Sequence, residues 1–155
     1  MNNKIIILGS SGSGKTTTLK HICNDMVKTA AMDYGKTTIN GKKVHFFCPS
    51  GHERFKFMQE VLSKNIDGAI IIIDSSKGIT PTEKEFIEYI KLKRVPYVIF
   101  ANKHDLKNMP LNNEFKLVIP TVATIGQGIE NGLSILLGMI DGKMPLKNSE
   151  IICTC

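Results

Sequence analysis

At 155 residues the chain has the length of one domain with a core of its own. Its 42% hydrophobic and 22% charged composition excludes a low-complexity or disordered polypeptide, and no apolar run nears the ~20 residues that a membrane helix needs. The net charge of +6 is scattered along the chain, and with three Tyr and no Trp the stacking platforms of a nucleic-acid binder are scarce, so a solvated basic surface is expected.

The N-terminus is polar and runs straight into an apolar strand, Lys4–Leu8, which predicts a cytoplasmic chain without a cleaved signal. Next comes Gly9-Ser10-Ser11-Gly12-Ser13-Gly14-Lys15-Thr16, which fits G-x-x-x-x-G-K-[ST]. A helix is expected from Lys15 to about Cys23, so the motif lies between a strand and a helix, the context of a phosphate cradle. Glycine admits positive φ, which lets successive N–H groups turn toward an anion, and the helix N-terminus adds roughly half a positive charge there. Gly9, Ser10, Gly12, Ser13, Gly14, Lys15, Thr16 and Thr17 are the expected phosphate-side residues. Lys15 would reach the β- and γ-phosphates of a nucleoside triphosphate, and the Thr16 hydroxyl would ligate Mg²⁺.

Thr37-Thr38-Ile39, Asn40-Gly41 and Lys43–Phe47 predict a hairpin, since Asn-Gly is the strongest two-residue signal for a type I′ turn. Glu53–Lys64 has helical spacing at Phe57, Val61 and Leu62. Ala69–Ile73 is a continuous apolar run, as in a central strand covered on both faces. A helix over Thr82–Lys93 is expected, with Thr82 and Glu85 as its capping box. Strands follow at Tyr97–Ala101 and Lys116–Val122, and a helix at Asn131–Ile140. The alternation predicts a doubly wound α/β sheet, mostly parallel with one antiparallel hairpin. One domain is expected over 1–145, with a short tail over 146–155.

Asn102-Lys103-His104-Asp105 directly follows a strand, and ligands of such sheets sit at the carboxyl ends of strands. A carboxylate at Asp105 would accept hydrogen bonds from N1–H and the exocyclic amine of guanine, a pair that adenine lacks. The stem of Lys103 can lie over the base, and Asn102 can tie this loop to the phosphate loop. Asp74 ends the strand Ile70–Ile73 in the manner of a Walker B acid, which would support Mg²⁺ in an ATPase. The competing expectation is a strand-end residue followed by a turn.

With both motifs in place the chain resembles the Ras-like small GTPases of the P-loop GTPase superfamily over nearly its whole length. The resemblance implies that Val122-Ala123-Thr124 is the guanine-side loop, with the Ala123 N–H meeting the guanine O6. It also implies that Gly51, in Cys48-Pro49-Ser50-Gly51-His52-Glu53-Arg54-Phe55, contacts the γ-phosphate. Cys48 stands where the family has the aspartate that supports Mg²⁺, and His52 where it has a water-orienting glutamine. Translational GTPases use histidine at that position, while the bland alternative for His52 is a surface residue capping the next helix. Counting against the family, Thr29 is the switch threonine expected on Mg²⁺ and the γ-phosphate. The loss of the aspartate and the run Met32-Asp33-Tyr34-Gly35 resemble a prokaryotic branch akin to signal-recognition-particle receptor β and gliding-polarity GTPases. That branch implies a roadblock-type protein partner.

The four cysteines lack zinc-ligand spacing, and Cys23 and Cys48 are expected to be buried thiols. Cys153-Thr154-Cys155 resembles a Rab-type prenylation ending. Few residues separate it from the last helix, so an unmodified tail is expected ahead of membrane association. The leading expectation is a switch that binds Mg²⁺ with GTP or GDP and hydrolyses GTP slowly until a partner stimulates it, with catalysis resting on Lys15, Gly51 and His52. The alternatives are a guanine-nucleotide-binding scaffold that does not hydrolyse, and a P-loop ATPase or kinase using Asp74.

Overall fold

Among the described residues seven strands build one sheet: β1 (Asn2–Gly9), β2 (Asp25–Lys28), β3 (Met32–Ile39), β4 (Lys42–Pro49), β5 (Gly68–Asp74), β6 (Tyr97–Asn102) and β7 (Val118–Pro120). Helices α1 (Lys15–Ile22), α2 (Pro81–Lys93) and α3 (Ile129–Ile140) pack on it. These elements come from a computed structural model that describes residues 2–51, 53, 55–56, 64–103 and 117–142. The boundary expected at 145/146 lies outside them.

The sheet order is β2-β3-β4-β1-β5-β6-β7. From β4 to β7 every pairing is parallel, while β2–β3 and β3–β4 are antiparallel. This is the doubly wound, mostly parallel α/β architecture that the alternation of elements predicts. Next to the middle strand β1 lies β5, whose seven residues are all buried, as a strand covered by helices on both faces must be.

The two faces carry separate cores. Leu19 of α1 and Ile129, Leu133 and Leu136 of α3 cover Ile5, Ile7, Phe46, Ile70, Ile72 and Phe100. On the other face Phe86, Ile87 and Ile90 of α2 cover Ile6, Leu8, Ile71, Ile73 and Ile99, and Phe55 joins them. Phe55 meets Phe86 and Tyr89 edge to face, at centroid distances of 5.0 and 4.9 Å, which anchors Phe55 to α2.

The turn at Asn40-Gly41 has positive φ at both residues, 52° and 79°, the type I′ signature. The hairpin is longer than expected, because β3 begins at Met32 and not near Thr37. A second hairpin, β2–β3, was not foreseen: Asp25–Lys28 is short, polar and mostly exposed, so no hydrophobic alternation marks it.

The capping box of α2 sits two residues earlier than expected, on Thr80 and Glu83. Both Thr80 and Thr82 have a glutamate three residues on. Pro81 decides between them, since proline fits the first helical position, where its missing N–H leaves no bond unmade. Glu53, Phe55 and Lys56 are helical, as expected, and residues 57–63 lie outside the described set. The strand expected over Lys116–Val122 is only Val118–Pro120, because Val122 turns to pair with Gln127. The closing helix starts at Ile129, two residues early.

Candidate functional site

β1 ends at Gly9, beneath the turn that leads into α1. Gly14 takes φ 106°, ψ 19°, and a methyl there would fall on Asn102 Nδ2, so the position needs glycine for both conformation and space. Lys15 is 8% exposed, and its Nζ donates to Gly9 O at 2.7 Å and Ser10 O at 2.9 Å, strapping the loop from inside. Burial pushes the Lys15 ammonium below its ordinary pKa, against the opposing pull of Cys48, Asp33 and Glu83.

Ser13 is buried, with its Oγ turned toward Gly9 and without a hydrogen-bond partner. Ser10 is held from α2: its hydroxyl and that of Thr80 both donate to Glu83, which also accepts from Thr80 N at 2.8 Å. Glu83 is 2% exposed and escaped the sequence reasoning. The overlooked signal was Thr80-Pro81-Thr82-Glu83.

Above the loop lies a cavity of about 370 Å³. Ser11, Gly12, Gly14, Lys15, Thr16 and Thr17 line its floor, Asp33, Cys48, Pro49 and Ser50 one wall, and Lys103 the other. Main-chain donors, a lysine and a threonine at a helix N-terminus make this an anion-binding floor.

Asp33 is the second residue the sequence reasoning missed as a site residue. Thr16 Oγ1 donates to Asp33 Oδ2 at 3.1 Å, and Asp33 lies opposite Cys48 in the β3–β4 ladder. Cys48 is a buried thiol, and burial, reinforced by Asp33 and opposed by Lys15, pushes it up to about 12. It is neutral at any physiological pH. The carboxylate that the wall lacks at Cys48 is present one strand over.

Thr29 is not brought to this cluster. It sits in the β2–β3 turn, exposed, with its hydroxyl donating to Met32 O at 2.6 Å and accepting from Met32 N at 3.0 Å. The expectation of Thr29 beside Thr16 fails here because Thr29 closes a hairpin that the sequence did not announce. Ser50 ties that turn to the segment before Gly51, through Ser50 N to Ala31 O at 3.2 Å and Ser50 Oγ to Ala30 O at 3.2 Å and Ala31 O at 3.1 Å. Gly51 follows directly and starts the helical turn with Phe55 N to Gly51 O at 2.9 Å.

Asn102 is 3% exposed and joins three segments. Its Nδ2 donates to Ser13 O at 2.8 Å, and its Oδ1 accepts from Thr121 Oγ1 at 3.2 Å and Ala123 N at 3.0 Å. The tie to the phosphate loop is the one expected. The Ala123 N–H, expected on guanine, is instead spent on Asn102 in this arrangement. Thr124 is exposed beside it. Lys103 has φ 60°, and its Nζ donates to Gly12 O at 2.8 Å and Asp74 Oδ2 at 2.9 Å.

His52, Arg54, His104 and Asp105 lie outside the described residues. Among the described residues no cluster of three His, Cys, Asp or Glu could hold a metal, and no helix is long and apolar enough to cross a membrane. Mg²⁺ does not need such a cluster, because phosphate-bound Mg²⁺ keeps only one or two protein ligands. The hard oxygens of Thr16 and Asp33, in contact at the helix N-terminus, fit that ion.

Comparison with known proteins agrees with this geometry. Residues 1–125 match the ADP-ribosylation factor (Arf) family. An uncharacterized protein of Methanocaldococcus jannaschii is 35% identical over 144 residues, covering 88% of this chain and 94% of its own. Translation initiation factor IF-2 of Mycoplasma capricolum is 33% identical over 109 residues, 65% of this chain but 18% of that factor. The crystal structure of the bacterial selenocysteine-specific elongation factor EF-Sec superposes with a TM-score of 0.71 at 20% identity, covering 90% of this chain and 29% of that one. The chain thus spans less than a third of either translation factor, and the likeness to the elongation factor is one of fold. On the family match and the geometry together, the chain belongs to the Arf family of P-loop GTPases.

Proposed function

We propose that this chain is a guanine-nucleotide switch that binds GTP and GDP with Mg²⁺ and hydrolyses GTP slowly, awaiting a protein partner. The observation that carries the proposal is the bond from Asn102 Nδ2 to Ser13 O. It joins the phosphate loop to the strand end that bears Asn102-Lys103-His104-Asp105, so one cavity addresses phosphates and base together. On this proposal Asp105 selects guanine, and Thr124 flanks the base.

Lys15 would exchange the carbonyls of Gly9 and Ser10 for β- and γ-phosphate oxygens, and Gly51 would meet the γ-phosphate. Thr16 would hold Mg²⁺, with Asp33 behind it in the place of the aspartate that Cys48 replaces. When bound, the ion supplies neutralisation of the charge that builds on the β- and γ-oxygens. His52 would orient the attacking water, and the similarity to IF-2 supports a histidine in that role. Thr29 would approach only if the β2–β3 turn rearranged, which makes that hairpin the moving part of the switch.

Met32-Asp33-Tyr34-Gly35 and Cys48 favour the prokaryotic branch named above and, with it, a roadblock-type partner. Cytoplasmic placement is part of the same proposal. A non-hydrolysing scaffold is favoured by one observation, the neutral Cys48, and Asp33 weighs against it.

Single-turnover hydrolysis of Mg²⁺-GTP by wild type and His52→Ala separates the two. A fall of at least tenfold in the variant makes His52 the water-orienting group. Nucleotide that stays intact in both leaves a binding module, and a preference for ATP would sink the guanine assignment.

A further inference from the structure

Asp74 is not in the wall that faces Thr16. It closes β5 opposite Asn102 in the β5–β6 register, 5% exposed, and both of its oxygens are engaged. Oδ1 accepts from Ser76 N at 2.9 Å and Ser76 Oγ at 2.5 Å, while Oδ2 accepts from Lys103 Nζ at 2.9 Å. The next residue continues the contact, with Ser75 N donating to Asn102 O at 2.9 Å. Burial opposes ionisation of Asp74, but the hydrogen bonds from Ser76 and Lys103 hold its carboxyl below the usual range.

Lys103 shows what this arrangement does. Its backbone sits at φ 60°, a left-handed conformation that a long side chain rarely adopts unless its surroundings hold it. The surroundings are at the other end of the side chain, where the ammonium is shared between Gly12 O and Asp74. With its backbone and its tip both fixed, the aliphatic stem is held as a bar along the side of the cavity where the base is proposed to lie. Lys103 is about one-third exposed and Asp74 almost not at all, so the pair is solid on one side and open on the other.

We infer that Asp74 is a positioning residue for the guanine base, acting through Lys103, and neither a metal-supporting acid nor an inert strand end. The inference rests on the proposed guanine site and adds to it a residue that sets how long the base is held. Asp74 acts on the base, so its loss leaves the phosphate contacts of Gly14, Lys15 and Thr16 in place.

The test uses the full chain and the fluorescent probe N-methylanthraniloyl-GDP, with inorganic tripolyphosphate as a ligand that has no base. Asp74→Asn keeps the size and the neutral hydrogen bonding but removes the charge that holds Lys103. It is expected to speed release of the probe about tenfold, the worth of one charge-assisted hydrogen bond, and to leave tripolyphosphate affinity within about twofold. Lys103→Met should release the probe equally fast, and the double variant no faster than either single one. Lys103→Met, on the solvent side of the pair, carries the same comparison if Asp74→Asn proves too unstable to purify.

Release at the wild-type rate in either variant overturns the inference. So does an equal loss of tripolyphosphate, or an Asp74→Asn effect that vanishes when EDTA removes Mg²⁺, which would return Asp74 to metal support. A wild-type chain that binds ADP as tightly as GDP overturns the guanine proposal, and this inference with it. A wild type that prefers GDP while Asp74→Asn behaves identically overturns this inference alone.

Discussion

Asp33 and Cys48 face each other across the β3–β4 ladder, and only the first carries a charge. Thr16 Oγ1 bonds to that charge at 3.1 Å. The carboxylate beside the phosphate loop thus stands one strand nearer the sheet edge than Cys48, whose thiol is sealed at 2% exposure. If Asp33 supports the metal, Asp33→Asn should weaken Mg²⁺-dependent retention of GDP by about 10–100-fold, the usual cost of losing such a group. Cys48→Asp alone sets two carboxylates side by side and should destabilise the metal-free chain. The double variant Asp33→Asn, Cys48→Asp should recover retention. Magnesium titration of bound GDP decides it, and a double variant no better than Asp33→Asn would count against Asp33.

The pKa of Cys48 gives a second expectation, with a sign. Its folded value is about 12 against an ordinary 9.0, so the folded state holds its proton more tightly than the unfolded chain. The contribution to stability is complete below pH 9 and is lost as pH rises from 9 toward 12, by up to about 4 kcal/mol. Lys15 works the other way, because burial makes its charged form costly and deprotonation relieves that cost. Comparing urea midpoints of wild type and Cys48→Ala at pH 7.5, 9 and 10.5 isolates the thiol. The fall above pH 9 should be shallower in the variant, and parallel curves would mean that the site is not as dry as its burial implies.

Much of this site was legible because its motifs are local. Gly9–Thr16 and Asn102-Lys103 each sit at the end of an apolar strand, so the doubly wound order alone brings them together. Asp33 was legible in principle: extending the register outward from Asn40-Gly41 places it opposite Cys48. The step was missed because β3 was expected to start near Thr37, its first half being polar and aromatic without alternation. Glu83 was hidden by a rival capping pattern two residues on. Thr29 was assigned by spacing, and spacing carries no information about β2, whose exposed residues leave no hydrophobic trace. The fate of the Ala123 N–H depended on where Asn102 points, which only the assembled fold decides.

Glu83 links α2 to the phosphate loop, and that link should show in stability before it shows in binding. Glu83→Ala leaves the Ser10 and Thr80 hydroxyls and the Thr80 N–H without their acceptor, in a site with 2% exposure at its centre. Orphaned donors of this kind cost about 1–3 kcal/mol, so a drop of several degrees in melting temperature is expected. Saturating GDP should recover part of it, since ligand holds the loop from the other side. Calorimetry with and without GDP measures both, and a melting temperature within one degree of wild type would refute the link.

Gly14→Ala tests the junction at which the phosphate loop and the base-side strand meet. The substitution is penalised twice, by φ 106° and by the collision of its methyl with Asn102 Nδ2. Relief requires Asn102 to swing away, which breaks its bond to Ser13 O and frees the Thr121 hydroxyl and the Ala123 N–H together. The left-handed conformation costs alanine about 1–2 kcal/mol, and the lost hydrogen bonds add to it. The sheet itself is untouched, because β5 and both hydrophobic faces lie below the loop. The variant should therefore fold with a native circular dichroism spectrum and yet bind GDP at least 100-fold more weakly. If instead affinity survives within threefold, Asn102 and Gly14 are not the joint on which base and phosphate binding depend.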